Sequence, residues 1–175
     1  MKLQHSHARV FTLSTLTLLG LSACGGGGGS GEIAGPNTFN EWLVPTALIA
    51  DGGPGQDGIP ALENPNFAPI ATITVVEPND LLVVLLDGDQ VKAYPHDILD
   101  YHEIVNDGPA DAPFVMSYCP LTASAVAWQG KPGDGDPSYG VSGLLYNSNL
   151  MLYDRETQTV WSQLLELGVN GPRIR

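Results

Sequence analysis

The stretch "LLVVLLDGDQVKAYP", residues 81–95, constrains the fold more than any other part of the chain. Two runs rich in branched aliphatics flank "DGDQ", which has the composition of a tight hairpin turn. The same pattern repeats downstream. "HEIVNDGPADAPFVMSYCPL" reads as strand, turn and strand, with "NDG" supplying the turn chemistry. "SAVAWQ", "YGVSGLLYN" and "LMLYDRETQTVWSQ" continue as short strands, with a turn at "DRET". "ATITVVE", residues 71–77, reads as one more strand. Apolar positions recur nearer every two residues than every 3.6, and helical signals are few. "PHDILDYH" suits a short helix with Pro95 in its first turn. The class predicted is mainly β, sandwich or barrel-like, with one or two short helices.

The N-terminal segment has a different character. "MKLQHSHAR" carries Lys2 and Arg9 and no acid, and the apolar "VFTLSTLTLLGL" follows. That run is shorter than the roughly 20 apolar residues a membrane span needs. A basic start, a short apolar core and then small residues is the order of a secretory signal. Leu21-Ser22-Ala23-Cys24 has the order of a bacterial lipobox, in which the cysteine is acylated and becomes the first residue of the mature chain. The glycines after Cys24 supply a flexible tether. The expected organisation is a lipoprotein signal peptide over 1–23, a tether over 24–40 and a single β-rich domain over 41–175. The location expected is the bacterial cell envelope, facing the periplasm or the exterior. The membrane is then a partner through lipid, palmitate among others, on Cys24. The chain stops at "VNGPRIR", a few residues after a strand-like segment, so the domain is expected to be incomplete at its C-terminus.

Loss of residues 1–23 leaves 152 residues with 5 basic against 19 acidic side chains, and the net charge moves from -12 to -14. Such a surface repels nucleic acid and anionic headgroups, which excludes both as docking partners. "DGGPGQDG", residues 51–58, sets two aspartates among glycines but lacks the ligand spacing of an EF-hand, and it reads as a plain loop.

Several motifs together carry a resemblance: "DGIPALENPNF", "VKAYPHDILDYHEIVND", "SYCPL" and above all "GVSGLLYNSNLMLYDRETQTVWSQ". From about residue 44 to its end the chain resembles the bacterial family called domain of unknown function 3179. The resemblance implies an exported, often lipid-anchored protein, and it implies no particular activity. It also implies a further C-terminal portion. Members of that family read Y-C-P-L-C where this chain has Tyr118-Cys119-Pro120-Leu121-Thr122, so C-x-x-C chemistry does not carry over.

Four side chains are candidates for chemistry: Cys119, His102, Glu103 and His96. With Cys24 acylated, Cys119 has no intrachain partner, which is unusual for an exported protein. If the strands on either side of "NDG" pair antiparallel, His102 lies across the ladder from Cys119. A Cys–His pair is either a nucleophile with its base or half of a soft-metal site for Cu or Zn, with His96 the nearest third ligand. Free cysteines are also among the most buried residue types, so Cys119 as plain packing stands beside both. Three classes stay open: a metal-binding or thiol-redox lipoprotein, a cysteine-dependent hydrolase or transferase, and a non-catalytic envelope scaffold. Trp128, Trp161, Tyr146 and Tyr153 read as core aromatics, and Asp154 with Arg155 as a turn contact or salt bridge.

Overall fold

The computed structural model describes residues 41–87, 89–109, 111–129 and 138–174. Residues 1–40, on which the expected signal peptide, the expected tether and Cys24 fall, lie outside these residues.

The fold is mainly β. Among the described residues eleven strands run in chain order: β1 Ile49–Asp51, β2 Leu62–Glu63, β3 Leu82–Asp87, β4 Gln90–Pro95, β5 Ile104–Asp107, β6 Phe114–Cys119, β7 Ser124–Gln129, β8 Tyr139–Tyr146, β9 Asn149–Asp154, β10 Val160–Ser162 and β11 Leu167–Asn170. One α-helical turn, α1 His96–Leu99, follows β4, and short 3-10 turns cover Thr46–Leu48 and Ile70–Thr72. The strands form a five-stranded sheet ordered β1-β8-β9-β10-β11, a four-stranded sheet ordered β2-β5-β6-β7, and the separate hairpin β3-β4. Every sheet is open, so none closes into a barrel. Most pairings are antiparallel; β2 against β5 is parallel.

The two larger sheets pack face to face. Ile104, Val115 and Cys119 from the four-stranded sheet meet Val141, Leu150 and Leu152 from the five-stranded one. Alternation along a strand sends neighbouring side chains to opposite faces. Met151 therefore leaves Leu150 and Leu152 and packs on the outer side of its sheet with Val44, Leu144 and Val169. Met116 and Tyr118 likewise point away from Val115 and Cys119. They pack with Tyr94 and Leu99, under the β3-β4 hairpin and α1. The central strands are thus covered on both faces, which is why β9 is buried along its whole length.

Loop 52–58 meets β8 through backbone hydrogen bonds, from the Gly52 N–H to the Gly143 carbonyl at 2.8 Å and from the Asp57 N–H to the Val141 carbonyl at 2.9 Å. β8 is irregular between Val141 and Leu145. There Gly143 adopts a φ of +80°, and a β-carbon on it would lie 2.5 Å from the Gly55 backbone. A side chain at 143 would meet both a left-handed backbone and a steric clash.

"ATITVVE" departs from expectation, because residues 71–77 form no strand. Pro69 opens the 3-10 turn Ile70–Thr72, and a turn closed by Asp80 N–H to Glu77 O follows. Prolines at 69 and 78 bracket the run and remove backbone donors, and no neighbouring strand pairs with it. Ile70 and Val75 are left 76% and 83% exposed. Branched aliphatics alone did not make a strand without a partner.

Candidate functional site

Pro95 ends β4 and opens α1 with φ near -63°, the angle its ring imposes. After one helical turn the Glu103 N–H donates to the Leu99 carbonyl at 2.8 Å. Glu103 itself takes a left-handed φ of +57°, rare for a residue with a β-carbon. Strain of that kind collects at working sites. The corner from residue 95 to 104 carries His96, Asp100, His102 and Glu103 and meets β6 at Tyr118.

The β5–β6 ladder runs antiparallel with Ile104 opposite Ser117, as the hairpin reading required. Its last rung is the Tyr118 N–H to the Glu103 carbonyl, at 2.7 Å. One more step in the same register would set His102 opposite Cys119. The left-handed turn at Glu103 intervenes, and the two side chains find other partners. His102 Nδ1 lies 2.8 Å from the carbonyl oxygen of Pro60. Cys119 is 1% exposed and sits in the inter-sheet core. Its Sγ accepts from the Leu150 N–H at 3.4 Å, and its S–H points at the Ser148 carbonyl at 4.0 Å.

His96 goes to the other face of β6. Its Nδ1 is 3.1 Å from the Tyr118 hydroxyl, and the two rings lie 4.6 Å apart. Among the described residues, no three of His, Cys, Asp and Glu come close enough to hold a metal ion. Cys119, His102 and His96 therefore do not gather into one ligand set, because strand alternation and the turn at Glu103 send them apart.

The electrostatics of the corner centre on Glu103. Burial pushes its carboxyl up to about 7, and the Asp100 carboxylate adds to the effect. A carboxyl near neutrality is equipped to exchange protons at physiological pH. The Tyr118 hydroxyl is also raised, by burial first and then by Asp100 and Cys119. A Nδ1 facing a carbonyl must carry the proton, since a carbonyl only accepts. The His102 Nε2 therefore holds the free lone pair in the neutral ring.

Next to Cys119 lies a polar network that the sequence reading missed. Gln163, fully buried, donates from Nε2 to the Ser117 Oγ at 3.1 Å. Its Oε1 accepts from Asn149 Nδ2 at 2.6 Å and from the Ser124 Oγ at 2.7 Å. Asn149 Nδ2 also reaches the Thr122 Oγ1 at 3.0 Å. The only signal in the sequence was a cluster of amides and hydroxyls in otherwise apolar strands.

The remaining polar candidates are structural. Asp154 accepts from the Thr157 N–H at 2.6 Å, closing the "DRET" turn, and from Trp161 Nε1 at 3.1 Å. Arg155 reaches back to Glu63 Oε1 at 2.6 Å and to Asp57 Oδ1 at 3.3 Å. Asp57 is thereby engaged by Arg155 and by the Tyr153 hydroxyl, in keeping with a plain loop at 51–58.

Among the described residues no helix is long and apolar enough to cross a membrane. Neither the curated proteins nor the solved structures yield a match to this chain. A family model does match, that of "Protein of unknown function (DUF3179)", over residues 56–174. The matched span begins in the loop held on β8 and takes in the four-stranded sheet, the hairpin, the α1 corner and the five-stranded sheet except β1. On that match, the chain belongs to the DUF3179 family.

Proposed function

We propose that the chain is an exported envelope lipoprotein, anchored through Cys24, that holds a cationic or hydrogen-bond-donating ligand at the His102–Glu103 corner. The observation that carries this reading is the 2.8 Å contact from His102 Nδ1 to the Pro60 carbonyl. That contact favours the tautomer with the proton on Nδ1 and leaves Nε2 as an acceptor, as a carbonyl behind a metal-binding imidazole does. Glu103, next in sequence, adds a carboxyl that is partly ionised near neutral pH. Two acceptors in a chain of net charge -12 favour a ligand that brings protons or positive charge. Zn and Cu suit an imidazole donor, and since no third His, Cys, Asp or Glu joins the corner among the described residues, water would complete the shell of such an ion and binding would be weak.

Cys119 serves the core on this reading. A thiolate nucleophile or redox thiol needs exposure and an electropositive neighbour. Burial and the contacts to Leu150 and Ser148 weigh against both the hydrolase and the thiol-redox alternatives.

The test is calorimetric titration with Zn²⁺ of chain purified without chelator. Binding is expected in wild type and in Cys119→Ala, and is expected to vanish in His102→Ala. Binding that survives His102→Ala, or that is lost in Cys119→Ala with the fold intact, overturns the assignment.

A further inference from the structure

The β3–β4 hairpin has an apolar face on each side. An antiparallel pair with one side on a core normally turns polar side chains to water. Register sets Leu82 opposite Pro95, Val84 opposite Ala93 and Leu86 opposite Val91, so these six share one face. No residue on that face is polar. The core-side face carries Val83, Leu85 and Tyr94, which pack onto the four-stranded sheet. The six therefore look outward, and Val84, Leu86 and Val91 are 52%, 73% and 66% exposed. Contiguous exposed apolar surface of this kind marks an interaction site.

Charge selects the occupant. Residues 77–103 hold seven carboxylates and a single lysine. That lysine, Lys92, lies on the core-side face, paired with Asp107 and seated 4.9 Å and 5.0 Å from the Phe67 and Phe114 rings. Glu77, Asp80, Asp89 and Asp97 are exposed. A second copy of the chain would bring like charges together around the same face, and an anionic bilayer would be repelled. We infer that the outer face of the β3–β4 hairpin docks a basic protein segment, one that presents an apolar stripe flanked by lysine or arginine. An amphipathic helix, about 10 Å across, matches the width of a two-stranded face.

The probe is a synthetic peptide of leucine and lysine, with leucines at helical spacing, titrated into the full chain and followed by fluorescence anisotropy. A matched peptide with glutamate in place of lysine serves as control. The lysine peptide is expected to bind and to weaken as salt rises, and the glutamate peptide is expected not to bind. Leu86→Ser combined with Val91→Ser removes apolar contact without altering charge. It is expected to weaken binding at least about tenfold, the loss of one well-buried aliphatic contact. Both positions face water, so thermal melting should show the fold retained. Binding unchanged in this double variant would mean a general attraction to an acidic protein, and would overturn the inference. Equal binding of the glutamate peptide, or self-association or flotation with zwitterionic vesicles that is lost in the same double variant, would each overturn it too.

Discussion

The sulfur of Cys119 accepts a hydrogen bond from the backbone N–H of Leu150, 3.4 Å away across the interface between the two large sheets. The thiol is thus part of how the sheets meet. Cys119→Ala should destabilise the domain by about 1–2 kcal/mol, the range for removing a small buried group with one weak contact. Denaturant melts of the two proteins measure this directly. A thiol reagent at neutral pH should leave native Cys119 unmodified and label it fully once the chain is unfolded. Rapid labelling of the native protein would remove Cys119 from the core.

Gln163 is tied to Ser117, Ser124 and Asn149 at once. Gln163→Leu keeps the volume but strips these partners, leaving buried polar atoms unsatisfied. The expected cost is about 2–4 kcal/mol, seen as a lower denaturation midpoint with an unchanged slope. A neutral result would mean that the network contributes no stability.

Glu103 gives a pH signature with a definite sign. Its carboxyl is raised from 4.5 to about 7, so the folded protein holds the proton more tightly than the unfolded chain. The group favours the fold most below its ordinary pKa, and that contribution is lost as pH rises through about 7. Other carboxylates act in the opposite sense, so the difference between wild type and Glu103→Gln isolates this one. The variant should gain melting temperature relative to wild type between pH 5 and pH 8, roughly the window of the shift. A difference that stays flat across that window would mean Glu103 is ionised and well solvated.

Much of this architecture was legible locally. The β3–β4 and β5–β6 pairings join neighbouring segments through turns that the sequence marks, and α1 falls where Pro95 allows a helix to start. The inward positions followed from alternation. What was not legible depends on long-range partners. His102 meets a carbonyl 42 residues earlier, and a backbone oxygen leaves no pattern in the sequence. His102 and Cys119 take other partners where the left-handed residue Glu103 interrupts the ladder, and the sequence gives no warning of that backbone. "ATITVVE" had the composition of a strand but no neighbour to pair with. Arg155 was expected to act locally and instead binds Glu63, 92 residues away.

The anchoring proposal stands on the N-terminal sequence. Cys24→Ala should abolish incorporation of a clickable fatty acid and release the chain from the membrane fraction, since stable anchoring needs more than one acyl chain. Equal incorporation in the variant would place the lipid elsewhere or nowhere.

On the proposed function, His102 is held with its proton on Nδ1 and its Nε2 open to a ligand. Long-range proton–nitrogen NMR of the histidine rings, recorded at a pH where His102 is neutral, reads this most directly. A protonated Nδ1 and an unprotonated Nε2 are expected for His102, with Nε2 alone shifting strongly when Zn²⁺ is added. A ring protonated at Nε2, or one averaging between tautomers and indifferent to Zn²⁺, would contradict it.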